Sequence, residues 1–496
     1  MQQSHQFQTL YTDLTMSDPQ YLKAIPFWRG GKEVTSRSTF PVISSVDHET
    51  IYQCSSASES DVSAAIEDGY RAFQTWSVWK PHEKRDVFLR AAEIFGQRKD
   101  ELFQYVHRET GETSTFFQFE WEMLQQMCKD VAGLIQTIRG TQPTVTTQGQ
   151  SALVLREPHG VVVGISPWNA PYLLGIRACL MPLATGNSVI LKGPEAAPKT
   201  VWAIADVLYK AGLPAGCLNT LYHRPSDAER ITTALIAHPL VQKVNFTGST
   251  AVGSVIASTA GRFLKPVLLE LGGKASAIIC EDADLEAAAL ECALGCFLNS
   301  GQVCMATERI LVHENVMPRF FELLQAAVRR VFPEQPFQLI NEAAVLKNEK
   351  LVQDAIAKGA IAKGAEPLSE HAVATAGATT MNAVFLKNID PSMDIYHSES
   401  FGPSASIIVV NSDDAAIEIA NDTDYGLTAA VFTEDLRRGL SIAKRIQAGA
   451  VHINSMTIHD ETALPHGGMK RSGFGRFNSS EGLQEWLRTK SVTWRD

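Results

Sequence analysis

Residues 153–194 read LVLREPHGVVVGISPWNAPYLLGIRACLMPLATGNSVILKGP, and this stretch decides the fold. The run 161–165 is short, apolar and rich in β-branched valine, which suits a strand. A helix-like stretch follows near 171–185, and SVILKGP is a second strand. Working outward, TVWAIADVLYKAG reads as a helix closed by Gly212, and VQKVNFTGS as a third strand. Strand, helix and strand repeated in this order imply parallel pairing and a doubly wound sheet. Upstream, residues 60–138 read as helical: Asp61 can cap VSAAIEDGYRAFQTW, and DVFLRAAEIFGQRKDELFQYVHRET carries apolar residues at three- and four-residue spacing. Downstream, a second alternation starts after 267 with PVLLELGGKASAIIC, a helix around DLEAAALECALGCFLNSG, and RILVH. The Gly- and Ala-rich stretch 358–379 reads as a helix end and surface loop, and the strand-like runs SASIIVV, AAVFT and AVHIN follow it. The expectation is an α/β chain of two units with a junction near 267.

Composition narrows the function. The chain has 496 residues, 44 basic against 54 acidic, for a formal charge of −10, and is 45% hydrophobic and 20% charged. That balance is globular, and a chain of this length buries a large core without disulfides. The acidic total opposes a nucleic-acid or anionic-membrane binder, both of which want a positive field. No apolar run reaches the roughly 18 residues that span a bilayer. The opening MQQSHQFQTLYTDLT lacks the charged and apolar regions of a secretory signal, and no arginine precedes Arg29. The ending SVTWRD is neither a peroxisomal nor a prenylation tail. None of the eight cysteines forms a C-x-x-C pair, and Cys292 and Cys296 read as small core residues of one helix. A reduced, cytoplasmic protein without a metal site is expected.

Several motifs carry chemistry. The dinucleotide fingerprint G-x-G-x-x-G is absent. A weaker glycine signal, Phe246-Thr247-Gly248-Ser249-Thr250, follows a strand and opens a helix, where backbone N–H groups bind phosphate; read alone it is equally a tight turn. Lys192-Gly193-Pro194-Glu195 lies just past a strand end, where ligands of open α/β sheets sit; read alone it is a solvated charged turn. In Ser300-Gly301-Gln302-Val303-Cys304 the cysteine after a glycine turn can be exposed, with its pKa lowered by nearby dipoles, or it can be a structural thiol. Glu270 in Glu270-Leu271-Gly272-Gly273-Lys274 reads as a buried carboxylate of raised pKa suited to general-base work, or as a strand-end salt bridge. Asn169 in Ser166-Pro167-Trp168-Asn169 can donate an amide to an oxyanion, or close an Asx turn beside Pro171.

Taken in order, SPWNAP, LKGPE, FTGST, LELGGK, SGQVC, ESFGP (399–403), HINS (452–455) and PHGGMKRSGFGR (465–476) resemble the aldehyde dehydrogenase superfamily, of the hydrolytic, non-acylating kind, from about residue 25 to the C-terminus. The resemblance implies two Rossmann-like α/β domains with a small β oligomerisation arm: 1–138 and 157–267 for NAD, 268–476 for catalysis, 139–156 and 477–496 for the arm. It implies Cys304 as nucleophile, Glu270 as the base that activates the deacylating water, and Asn169 as oxyanion donor. It places Lys192 and Glu195 on the adenosine ribose, Gly248 and Ser249 at the phosphates, and Glu399 on the nicotinamide ribose beside Phe401. Ile165, Ser166, Trp168 and Leu271 line the cofactor path. NAD is expected, because Glu195 repels a 2′-phosphate, with NADP left open by Lys192 nearby. A homodimer or homotetramer is implied.

Two departures concern the substrate. Many relatives carry PFGG where this chain has Pro465-His466-Gly467-Gly468, and many place a second glutamate where Phe477 follows Gly475-Arg476. Arg177 stands where many relatives carry an aromatic, two helical turns beyond Asn169, on a face shared with Tyr172 and Leu173. Arg177 or His466 is expected to meet a polar substituent of the substrate, the alternative for Arg177 being an interface salt bridge. Phe116, Phe117, Trp121, Tyr172 and Leu298 can wall the pocket or belong to the core. GQVCMATERILVHENV and HDETALPHGG most resemble the salicylaldehyde and vanillin dehydrogenase subgroup, so a small aromatic aldehyde is the expected substrate, with aliphatic aldehydes and semialdehydes as rivals.

Overall fold

The computed structural model describes residues 24–333, 336–364 and 379–495; the N-terminal segment weighed above as a signal lies outside them, as does most of the 358–379 stretch. Two short antiparallel strand pairs, Phe27–Arg29 with Lys32–Val34 and Thr39–Ile43 with Thr50–Ser55, precede four helices: α1 (Glu59–Trp76), α2 (Pro81–Gln97), α3 (Lys99–Thr110) and α4 (Ser114–Leu134). The cap of α1 is Ser58 rather than Asp61. Asp61 sits three residues inside, its N–H donating to Ser58 Oγ at 3.2 Å while its carboxylate accepts from Ser58 N at 3.0 Å, a reciprocal capping box.

Strand β1 (Gln150–Pro158) leads into the first sheet, formed by β2 (Val161–Ile165), β3 (Ser188–Lys192), β4 (Leu218–Leu221), β5 (Val241–Thr247) and β6 (Val267–Glu270). All five run parallel, in the order β6-β5-β2-β3-β4. Helices α5 (Pro171–Ala184), α6 (Pro198–Lys210), α7 (Ala228–Ala237) and α8 (Thr250–Arg262) make the crossovers. Every residue of α5 is buried, because the helix lies between the sheet and α4 and also packs on α6. That explains its all-round apolar sequence.

The second sheet contains β7 (Ala275–Ile279), β8 (Thr307–His313), β9 (Ile361–Gly364), β10 (Val384–Lys387), β11 (Ser404–Val410), β12 (Thr428–Phe432) and β13 (Ala450–Ile453), in the order β9-β10-β11-β8-β7-β12-β13. Only β9 runs antiparallel to its neighbour. Residues 361–364 are therefore an edge strand within a stretch read from sequence as loop. Helices α9 (Leu285–Phe297), α10 (Met317–Val331) and α11 (Glu342–Ala357) serve this unit. The short β14 (Gly473–Phe474) returns to the first sheet, antiparallel to β6. Finally β15 (Leu487–Arg495) pairs along its whole length with β1, a two-stranded ribbon.

One boundary moves. The strand 267–270, read as opening the second unit, pairs with β5 in the first sheet, Leu268 beside Asn245 and Glu270 beside Thr247. The second unit is thus an insertion between β6 and β14. Glu270 ends β6, and the loop after it enters β7. The C-terminal edge of the first sheet consequently faces the N-terminal edge of the second, and this junction holds the site.

Candidate active site

The first sheet reverses its strand order between β2 and β5, and ligands of open α/β sheets bind outside the carboxyl ends of the strands at such a switch. A cavity of about 220 Å³ opens there. Pro167, Trp168 and Asn169 reach it from beyond β2, Thr247, Gly248 and Ser249 from β5, and Glu270 and Gly272 from β6. The second unit contributes Cys304 just before β8, Glu399 and Phe401 before β11, and Lys347 from α11. The three catalytic candidates and much of the cofactor set, far apart in sequence, therefore meet in one cleft.

The thiol of Cys304 is presented by a tightly wound turn. Asn299, Ser300 and Gly301 all have left-handed backbone, with φ of 49°, 60° and 73°. At Gly301 a side chain would also collide with the carbonyl of Gly402. Asn299 Nδ2 donates to Asn169 O at 2.8 Å, and Gln302 Oε1 accepts from Ile340 N at 2.9 Å, so the turn is stapled on both sides. Two successive non-glycine residues in this region store backbone strain of a kind that clusters at functional sites. Of the eight cysteines, all free, seven are buried and Cys304 alone is partly exposed.

The thiol is not lowered as the sequence suggested. Burial pushes Cys304 well above its ordinary value, and the negative charges of Glu270 and Glu399 add to this, with only Arg177 opposing. A base must therefore take its proton, and Glu270 is within reach. Glu270 is fully buried, and neither of its carboxylate oxygens has a hydrogen-bond partner. It is thus a buried carboxylate and not the alternative, a strand-end salt bridge. Asn169 is buried; its Nδ2 donates to the carbonyl of Gln302 at 3.1 Å, which turns the amide toward the nucleophile loop.

The cofactor candidates line a path from β3 to Cys304. Lys192 ends β3 and lies 3.8 Å from the half-exposed Glu195, and burial lowers its ammonium below the usual range. Ser249 caps α8, its Oγ accepting from Val252 N at 3.4 Å, and a side chain at Gly248 would strike the ring of Phe246. Ile165 and Leu271 are buried beside the path, with Leu271 packed over Gly253. Ser166 Oγ is buried without a partner. The rings of Trp168 and Phe401 meet edge to face at 5.9 Å. Glu399 accepts from Gly273 N at 2.8 Å, and burial lifts its carboxyl to about 7. The orphaned Ser166 hydroxyl, the open start of α8 and the facing carboxylate of Glu399 suit a polar, phosphate-bearing group with hydroxyls.

The substrate candidates divide. Leu298 joins an apolar cluster with Phe116, Leu174, Val303 and Ile458, against which Cys304 packs. Tyr172 instead meets Phe117 and Trp121 edge to face in the core, and its hydroxyl donates to Leu102 O at 2.9 Å. Leu173 belongs to that core, its N–H donating to Glu120 Oε1 at 2.6 Å. Arg177 is locked in an ion pair with Asp460, both side chains buried, so its charge is answered within the protein. That is the salt bridge weighed as its alternative. His466 is buried with Nε2 turned to Glu270 at 3.8 Å.

Sequence reasoning missed Lys347, Asp460 and Glu308. Lys347 sits on an amphipathic helix with no local signal. Glu308 pairs with Lys274 at 2.6 Å and accepts from the N–H groups of Ser400 and Phe401, so it holds the loop carrying Glu399. Lys274 closes the quoted ELGGK motif and was the one available hint.

The aldehyde dehydrogenase family profile matches residues 32–492. A vanillin dehydrogenase of Pseudomonas fluorescens is 37% identical over 95% of this chain and 97% of its own. A crystal structure of a salicylaldehyde dehydrogenase from Pseudomonas putida G7, complexed with salicylaldehyde, superposes with a TM-score of 0.90 at 32% identity, covering 95% of this chain and 98% of that one. A betaine aldehyde dehydrogenase from Staphylococcus aureus in complex with NAD+ gives a TM-score of 0.89 at 27% identity, covering 95% and 97%.

Proposed function

The chain belongs to the aldehyde dehydrogenase family, and from that premise we propose that it oxidises a small aromatic aldehyde to the carboxylic acid, with NAD as acceptor. The observation that carries this reading is the meeting of Cys304, Glu270 and Asn169 at one cavity. Support for an aromatic substrate comes from the vanillin and salicylaldehyde relatives and from the apolar wall of Phe116, Leu174, Leu298 and Ile458 beside the nucleophile.

Glu270 takes the thiol proton of Cys304, and Sγ bonds to the aldehyde carbon. The carbonyl oxygen becomes an oxyanion held by Asn169 Nδ2 and the backbone N–H of Cys304. Each such preorganised donor contributes roughly 2.7–4 kcal/mol in comparable sites. A bound nicotinamide supplies the acceptor for the hydride that leaves this carbon. Glu270 gives up the thiol's proton to solvent; a water then attacks the thioester left on Cys304 and passes one proton to Glu270, the C–S bond breaks with its electron pair returning to Sγ, and the carboxylic acid so formed loses its remaining proton to solvent and departs as carboxylate.

Lys192 and Glu195 would hold the adenosine ribose, Gly248 and Ser249 the phosphates, and Glu399 the nicotinamide ribose beside Phe401. Glu195 opposes a 2′-phosphate, which selects NAD. The first sheet with α1–α8 serves as the NAD-binding domain, the second sheet as the catalytic domain, and the ribbon of β1 and β15 as the arm. The arm favours a homo-oligomer, because β15 pairs with β1 alone and Leu153, Leu155 and Val492 are exposed on the ribbon.

The test is NADH formation from salicylaldehyde, vanillin and benzaldehyde against straight-chain aldehydes and succinate semialdehyde, with Cys304→Ala as control. The aromatic aldehydes should show the higher kcat/KM and the variant no turnover. Equal or better use of aliphatic aldehydes would remove the aromatic assignment.

A further inference from the structure

A base that accepts a proton in every turnover must also lose it. Glu270 has both oxygens buried and unpartnered. Beyond Cys304 it faces His466, whose Nε2 is buried, unpartnered and 3.8 Å from Glu270 Oε1. Hydrogen bonds of catalytic groups are often this long before the substrate closes the site.

The backbone of His466 is held in place from behind. Its backbone N–H donates to Phe477 O at 2.8 Å, and its carbonyl accepts from Phe477 N at 2.7 Å. Its Nδ1 faces Asp460 Oδ1 at 3.9 Å. Asp460 is fixed in turn by Asn478 Nδ2 at 2.7 Å and by the ion pair with Arg177. The Arg177 guanidinium lies over the Phe477 ring, 5.8 Å from its centroid. An acceptor oriented by a third group is the arrangement that proton-transfer sites recur to. Asp460 also lines a second cavity, of about 350 Å³, together with Glu122, Asp130 and Glu461. A path from the base to a water-accessible, acidic recess is therefore in place.

We propose that His466 receives the proton from Glu270 during thioester hydrolysis and releases it through Asp460 toward that recess. The O–H bond of the attacking water breaks as its oxygen bonds to the thioester carbon. The proton moves to a Glu270 oxygen and then to His466 Nε2, while the C–S bond breaks and the electron pair returns to Cys304 Sγ. The imidazolium gives up its Nδ1 proton on the Asp460 side and is neutral again. His466 acts through Glu270 and is a positioning residue in this sense, as is Asp460. The groups facing His466 are Glu270 from β6, Arg177 from α5, Asp460 from the loop after β13, Arg476, and His452 from β13. Burial first and then Arg177 lower the imidazole below its usual range, Glu270 draws it back up, and Arg476 adds a smaller lowering.

The inference rests on the aldehyde-oxidising reading, and its test separates the two. In His466→Phe and His466→Gln, which fill the site without a titratable ring, the first-turnover NADH burst per subunit should persist. Steady-state kcat should fall about 100-fold, the low end of general acid–base contributions, with KM unchanged or lower. The acidic limb of the kcat–pH profile should lose the inflection due to the imidazole. His466→Ala should regain part of its kcat in imidazole buffer and none in a non-titrating salt of equal ionic strength. Wild-type kcat and pH profile in both filled variants would overturn the relay. So would parallel loss of burst and kcat in both, or the absence of imidazole rescue. A wild-type protein that oxidises no aldehyde would instead remove the proposed function itself.

Discussion

Arg177→Met removes a charge from the centre of the molecule while keeping most of the side-chain volume. The Arg177 side chain is 4% exposed and that of its partner Asp460 is 2% exposed. After the change Asp460 keeps the amide of Asn478 but has no cation in contact. Removing one partner of such a pair costs about 3–5 kcal/mol, because the other charge stays buried and uncompensated. Unfolding entropy near 2.1 cal/mol/K per residue amounts to roughly 1 kcal/mol/K for a chain of this length. Tm should therefore fall by about 3–5 °C if the chain melts as one unit, and by about twice that if the first α/β unit melts alone. Scanning calorimetry at fixed protein concentration measures it. Arg177→Met with Asp460→Asn removes both charges and should recover most of the loss, since replacing a whole buried pair is often close to neutral. A single variant within about 1 °C of wild type, or a double variant no better than the single, would refute the claim that these two residues answer each other's charge.

Two further expectations follow from the same geometry. Glu270→Gln takes away a negative neighbour that opposes ionisation of Cys304, so the pH midpoint of iodoacetamide alkylation should move down; an unmoved or higher midpoint would mean that the thiol does not sense this carboxylate. Truncation after Trp486, which deletes β15, should lower the particle mass seen by light scattering to that of a smaller assembly or a monomer, whereas an unchanged mass would place the subunit interface elsewhere.

The alternation of strands and helices in 153–249 was legible because a parallel strand buried on both faces writes itself as a short apolar run, as in Val161–Ile165. The motif loops were legible because glycine and proline mark where chain turns at strand ends. Sheet membership was not legible: PVLLE and ASAII are both apolar strands a few residues apart, and nothing local says that the first pairs with β5 and the second with β8 and β12. The side-chain reading of α5 failed at Tyr172 for a related reason. A helix buried on all sides has no polar face to orient it, so residues near Asn169 in helical projection need not share its cavity. Arg177 and His466 were quoted as separate substrate clues and Asp460 was missed, and only the fold brings the three into one chain of polar groups ending at Glu270. The thiol of Cys304 was expected to be lowered by dipoles, a local property of a turn. Its surroundings proved to be set by Glu270 and Glu399, which arrive from elsewhere in the sequence.

The seam between the two sheets is closed around Ser472. Leu271 N–H donates to Ser472 O at 3.0 Å, Ser472 Oγ donates to Gly272 O at 2.6 Å, and Gly426 N–H donates to Ser472 Oγ at 2.9 Å. The chain thus leaves the first sheet and comes back to it through a single stitched doorway. Everything between those two points is a cassette with adjoining ends. It carries the reacting sulfur and the Glu399 loop, and leaves Glu270, Asn169 and Arg177 on one side, with His466 just inside its exit. Swapping that cassette between relatives would exchange the nucleophile's surroundings in one cut, and the recombinant would put His466 opposite a base it had not been selected beside.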